Sequence, residues 1–388
     1  MALTLWATIV SQYHEFRGEV PPPPEVSIAV ETEQSVPSPF EAIVTEIMRD
    51  RTPAPTATTS IPKPVPTTTI PTPFIPIPVP VTPPIIPVLP QTEPTEVTPP
   101  PTAPDVDDKL TTENFFKGAL VNIICIQGGG LRGSSGSGVI VDPRGIIMTV
   151  AHVGQNLLLT DYPEENTGNC YIRTGSPAKN TYTAELIFIS PDWIKENPGT
   201  FLSSRPTGTG EDDFAFLAIT GSLTGAPLPS RFAYIPLAAP GTDIDEGDEV
   251  GIGSYAAEFL TSSEVRSSLY PTISFGPVND VFTFGRSTVD IFSVRAGYAA
   301  QEGSSGGAVI NEDRDLIGLI TTRTVRPDLS LRDLQALTMD HIRRSFREDM
   351  DTDLDSYLRG NLSSLIAGYK DEAADLLDVL EEAIQEAN

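Results

Sequence analysis

Three side chains of this chain, in the order His152, Asp213 and Ser305, are of the types that together run acyl transfer. Ser305 stands in G-S-S-G-G-A-V-I, Gly303 to Ile310, His152 in T-V-A-H-V and Asp213 in D-F-A-F-L-A-I. A serine hydroxyl is a poor nucleophile at neutral pH, so a neutral imidazole must take its proton as the oxygen attacks a carbonyl. A carboxylate in apolar surroundings must hold that imidazole in one tautomer and stabilise the imidazolium. The oxyanion that forms needs backbone N–H groups converging on one point, which demands a turn with little side-chain bulk; Gly303 and Ser305 would donate them. Taken singly, Ser305 reads equally as a plain turn serine and His152 as a half-buried structural histidine. Their occurrence together, with His152 the only histidine between His14 and His341, favours chemistry. His14 and His341 read as structural. Asp212 competes for the acid role, but alternation along D-F-A-F-L puts Asp213 with Ala215 and Leu217 on one face and leaves Asp212 a solvated neighbour.

With those fragments in place the chain resembles the chymotrypsin-fold serine proteases, and within them the bacterial HtrA-like branch. G-S-G-V-I-V-D-P-R-G-I-I-M-T-V-A-H-V, Gly136 to Val153, is similar to that branch's hairpin into the histidine, with Asp142 to Gly145 as its turn. E-G-D-E-V-G-I-G, Glu246 to Gly253, is similar to the strand opening the second barrel. A-A-Q-E-G-S-S-G-G-A-V-I-N and D-L-I-G-L-I-T-T resemble the nucleophile loop and the strand lining the cleft. Ordered matches of this kind are more specific than a lone G-x-S-G-G. The resemblance implies an all-β fold of two six-stranded antiparallel barrels and peptide hydrolysis through an acyl-enzyme, with polypeptides as substrates and no cofactor. It also places the floor of the primary specificity pocket at Ala299 and its walls at Thr321, Thr322 and Arg323. With no acid at the floor, a basic side chain would be buried unpaired, so small or aliphatic residues are expected at the cleavage site. Arg323 reads either as a solvated rim arginine or as a lure for an acidic side chain. Two departures stand out. Ser304 occupies the position where zymogen-activated digestive enzymes carry an aspartate, and Ala308 replaces a usual proline. With a short remainder after the protease, no PDZ-sized domain is expected there. The rival reading is a catalytically silent module that keeps the protease fold on a surface stalk.

The elements that must position these residues occupy only part of the chain. Its organisation reads as an N-terminal segment 1–51, a Pro/Thr-rich disordered linker or stalk 52–104, the protease domain 105–348, and acidic C-terminal helices 349–388. In the stalk about a third of positions are proline, which fixes φ and removes backbone donors, so an extended polyproline-like spacer is expected. Before it, Ser38 and Pro39 open a short amphipathic helix, 39–50, with Phe40, Ile43, Val44, Ile47 and Met48 on one stripe. Leu354, Tyr357, Leu358, Leu362, Leu365 and Ile366, then Ala373, Leu376, Leu377, Leu380 and Ile384, follow helical spacing. Capping the barrel and self-association are both open to these helices, as docking is to the helix at 39–50. Asp349, Asp351, Asp353 and Asp355 alternate like the start of a calcium loop, but Leu354 and Gly360 stand where such a loop needs glycine and glutamate, so an acidic helix start is expected. Cys125 and Cys170 read either as one disulfide or as independent thiols. A net charge of −27 repels nucleic acid and acidic membranes. The apolar first ten residues make no complete signal peptide, yet a stalk suits an exported or surface-tethered protein.

Overall fold

A computed structural model describes residues 106–203, 208–285, 288–324, 326 and 328–387. The helix expected at 39–50 and the proline-rich stretch lie outside the described residues. Apolar runs with β-branched residues make the strands of a first closed barrel: β1 (Leu120–Ile126), β2 (Ser134–Asp142), β3 (Ile146–Thr149), β4 (Asn169–Thr174), β5 (Lys179–Ile189) and β6 (Ala215–Ser222). Their order around the barrel is β1-β2-β3-β6-β5-β4, all antiparallel. The second barrel closes as β10-β11-β12-β9-β8-β7. It is built from β7 (Glu249–Ser254), β8 (Thr272–Phe282), β9 (Ile291–Arg295), β10 (Ala308–Ile310), β11 (Leu316–Arg323) and β12 (Asp333–Thr338). The fold expected from sequence is therefore the fold observed. The hairpin turn sits where the motif put it: Gly145 N–H donates to Asp142 O at 2.9 Å, and the Arg144 guanidinium grips the Asp142 carboxylate at 2.8 Å.

Cys125 and Cys170 face each other across β1 and β4 and form a disulfide, which decides between the two readings of the cysteines.

Helices fill the edges. α1 (Val106–Ala119), not foreseen as a helix, buries Phe116 against Gly251 and Gly253 of β7. Short helices α2 (Ala151–Leu158), α3 (Pro191–Glu196) and α4 (Ser262–Ser267) decorate the barrels. Thr338 caps α5 (Met339–Met350) by accepting from His341 N at 3.1 Å, and α5 carries Phe346 into a cluster with Phe188, Phe216 and Tyr357. The acidic run behaves as a helix boundary. Asp351 ends α5 in a left-handed conformation, Asp353 caps α6 (Leu354–Leu358), and Asp355 pairs with Arg343 at 2.9 Å. The last stretch is one continuous helix, α7 (Leu362–Ala387), whose buried face of Tyr369, Leu376, Leu380 and Ile384 lies on the first barrel, chiefly β5. Leu362, Leu365, Ile366, Ala373 and Leu377 of the expected stripe are partly buried against the same core.

Candidate active site

His152 enters on the first turn of α2, directly after β3, and Asp213 comes from the turn that precedes β6. Their strands are neighbours, with Met148 opposite Phe216 and Thr149 opposite Ala215. The pairing brings the carboxylate to the imidazole: Asp213 Oδ2 lies 2.7 Å from His152 Nδ1, and Asp213 Oδ1 accepts from His152 N–H at 2.9 Å. Two contacts to one residue fix both the ring and its backbone. The Asp213 side chain is 4% exposed, as a tautomer-holding carboxylate requires. Thr321 Oγ1 donates a third bond to it, at 2.9 Å. Thr321, expected as a pocket wall, thus spends its side chain on Asp213, and its sequence context of a plain apolar strand carries no signal of that. The Trp193 ring stands beside the imidazole, centroids 6.5 Å apart, delivered by α3.

Asp212 is not the solvated neighbour expected. It takes positive φ (56°), and its Oδ1 meets His341 Nε2 at 3.1 Å. His341 is structural, as expected, and its Nδ1 faces Asp290 at 3.7 Å. Burial pushes the Asp290 carboxyl up, but hydrogen bonds from Phe284 N–H, Thr283 and Thr288 and the Arg344 cation outweigh it and hold the group below the usual carboxylate value.

Ser305 arrives from the second barrel. Its loop turns at Gly303 (φ +89°) and Gly306 (φ +84°), conformations that L side chains rarely adopt. Around the turn, Ser304 N–H goes to Gln301 O, Gly306 N–H to Ile320 O and Gly307 N–H to Ser304 O. Among the described residues the N–H groups of Gly303 and Ser305 have no acceptor, the arrangement that an anion site made of backbone donors needs. The Ser305 hydroxyl donates to Thr321 O at 3.3 Å rather than to His152.

The expected pocket residues surround this turn. Ala299 is buried and its carbonyl accepts from Ser304 Oγ at 2.6 Å. Thr322 is occupied with Gln335 at 2.7 Å. Arg323 is no solvated rim residue: its side chain is 19% exposed and lies 3.5 Å from Glu302 and 3.6 Å from Glu258, whose nearer partner is Arg332 at 2.7 Å.

Two closed six-stranded antiparallel barrels are the architecture of the chymotrypsin fold. Residues 136–319 match the family model of the trypsin-like peptidase domain. No curated protein matches the sequence. Among solved structures, the active form of the Rv3671c protease from M. tuberculosis is similar at 17% identity and a TM-score of 0.38, covering 68% of this chain and 95% of that one. Deg5 is similar at 17% identity and a TM-score of 0.40, covering 63% and 94%.

Proposed function

We propose that this chain is a serine endopeptidase that hydrolyses peptide bonds through an acyl-enzyme. Ser305 attacks the scissile carbonyl, and His152 takes its proton and returns it to the leaving amine. Asp213 holds the imidazole and stabilises its cation, and the Gly303 and Ser305 N–H groups receive the oxyanion. The observation that carries this reading is the buried Asp213 carboxylate, bonded at once to His152 Nδ1, His152 N–H and Thr321 Oγ1. Three converging donors on one carboxylate leave the Nδ1 proton a single orientation, so that Nε2 is the nitrogen free to act as base. Small or aliphatic residues at the cleavage site fit Ala299 at the pocket floor, because the carboxylates beside the Arg323 wall, Glu258 and Glu302, are already paired with Arg323 and Arg332. The disulfide suits an oxidising compartment and hence an exported or surface-tethered enzyme.

The test is labelling of the full chain by a fluorophosphonate, which needs an activated serine and no knowledge of substrate. Wild type is expected to label, and Ser305→Ala and His152→Ala are expected not to. One observation favours the rival, a catalytically silent module: the Ser305 hydroxyl is bonded to Thr321 O. Rotation about χ1 would redirect it to the imidazole. Folded wild type that stays unlabelled would overturn the enzyme reading in favour of the silent one.

A further inference from the structure

Ser137, in the middle of β2, belongs to the first barrel and lies far in sequence from every residue of the oxyanion turn. Nevertheless its polar atoms are spent at the junction between the barrels. Its hydroxyl donates to Gly303 O at 2.7 Å and accepts from Tyr255 N–H at 2.8 Å, while its N–H donates to Ser305 O at 2.8 Å. Its carbonyl accepts from Thr149 Oγ1 at 2.7 Å, three residues before His152. Ser137 is fully buried, so none of these bonds competes with water. The approach is so close that a Cβ on Gly306 would stand 2.0 Å from Ser137 O.

These contacts bear on which way the Gly303 N–H points. A peptide unit is planar, with C=O and N–H on opposite sides, so fixing a carbonyl fixes the next amide. Glu302 O accepts from Ala257 N–H at 2.8 Å, which orients the amide of Gly303; Gly303 O, held by Ser137, orients that of Ser304. Glycine at positive φ leaves the turn other accessible conformations, and the two held carbonyls oppose them alongside the turn's own backbone bonds. Tyr255, whose N–H Ser137 accepts, precedes Ala257 by two residues, so one hydroxyl supports both clamps.

We propose that Ser137 is a positioning residue for the oxyanion turn: by accepting from Tyr255 N–H it steadies the segment whose Ala257 N–H holds Glu302 O and so aims the Gly303 N–H at the reacting carbonyl, by clamping Gly303 O it fixes the Ser304 peptide between the two donors, and through Thr149 it ties that turn to the strand that delivers His152. The inference rests on the serine-endopeptidase reading. It predicts a selective loss of transition-state stabilisation, because Ser137 is fully buried.

The test compares the full chain with Ser137→Ala and, as a control for stability alone, Leu380→Ala, which loosens buried packing on α7 away from the site. Three quantities are read well below the melting transition: kcat and KM on a fluorogenic peptide, fluorophosphonate labelling rate, and affinity for a peptide boronic acid. Ser137→Ala is expected to lower kcat and the labelling rate about 10–100-fold, less than outright removal of an oxyanion donor, and to weaken boronate binding by a similar factor. KM stays within about twofold, and Leu380→Ala leaves kcat unchanged. An unchanged kcat in Ser137→Ala, or an equal loss in Leu380→Ala, overturns the inference while labelled wild type keeps the serine mechanism. An inert wild type overturns both.

Discussion

At the residue scale the site depends on what surrounds Asp213. Thr321→Val keeps the shape but removes one of three hydrogen bonds to that carboxylate. A bond to a charged group is worth about 1.5–3 kcal/mol, so kcat/KM is expected to fall roughly 10–100-fold with little change in KM, measured on any peptide that wild type cleaves. Asp349 offers a second residue-scale prediction. Burial, then the neighbouring Asp192 and Asp212 carboxylates, push its carboxyl from the ordinary 3.8 up to about 7, against the lowering effect of Ser190 and Lys195. One of its oxygens is buried without a partner. The folded state therefore binds a proton more tightly than the unfolded chain. That contribution to stability is fully present below the unfolded value and is lost as pH rises toward about 7. Denaturant melts at several pH values should show stability declining over this window in wild type and a flatter profile in Asp349→Asn; identical slopes would contradict the assignment.

At the element scale, the helices hold the strands that hold the site. Tyr369 of α7 donates to Ile189 O at 2.8 Å and accepts from Ile189 N–H at 3.0 Å, closing both backbone groups at the end of β5. The chain then passes through Ser190, which caps α3, to Trp193 beside His152. Tyr369→Phe leaves a buried N–H and C=O of Ile189 without those partners, at a cost of about 1–3 kcal/mol. Calorimetry should register a lower Tm, while fluorophosphonate labelling at low temperature persists. A Tm equal to wild type would show that β5 ends firmly without α7. Arg144 plays a similar part at the other side of the first barrel, joining the β2–β3 turn to the end of α6 through Gly360 O at 2.7 Å and Leu358 O.

At the scale of the molecule, the Cys125–Cys170 disulfide closes a loop with a sequence separation of 45, which contains the strand and helix carrying His152. On the chain-entropy account a loop of that length contributes about 4 kcal/mol by restricting the unfolded state. Cys125→Ala/Cys170→Ala is expected to lower the denaturant midpoint accordingly. A midpoint unchanged under oxidising conditions would show that barrel closure alone suffices. The charge of −27 bears on partners: association with polyanions should be undetectable even at low salt.

The sequence by itself marked His152, Asp213 and Ser305 as the residues to watch, through local signals: glycine turns, apolar runs and residue types at strand edges, all legible within a few positions. The double barrel was implied by the resemblance those motifs carry to the chymotrypsin-fold proteases, and the structure has it. What the sequence left open, or read otherwise, depended on partners far along the chain. Thr321 reaches Asp213 across 108 positions, and Ser137 reaches Gly303 across 166. Asp212 read as solvated because alternation sees only the strand, whereas it takes a left-handed φ and meets His341. The pairing of the cysteines and the docking of α7 on β5 likewise waited on tertiary structure. Closing each barrel and seating one against the other fixes which distant side chains share a hydrogen bond, and no local pattern of residues encodes that geometry.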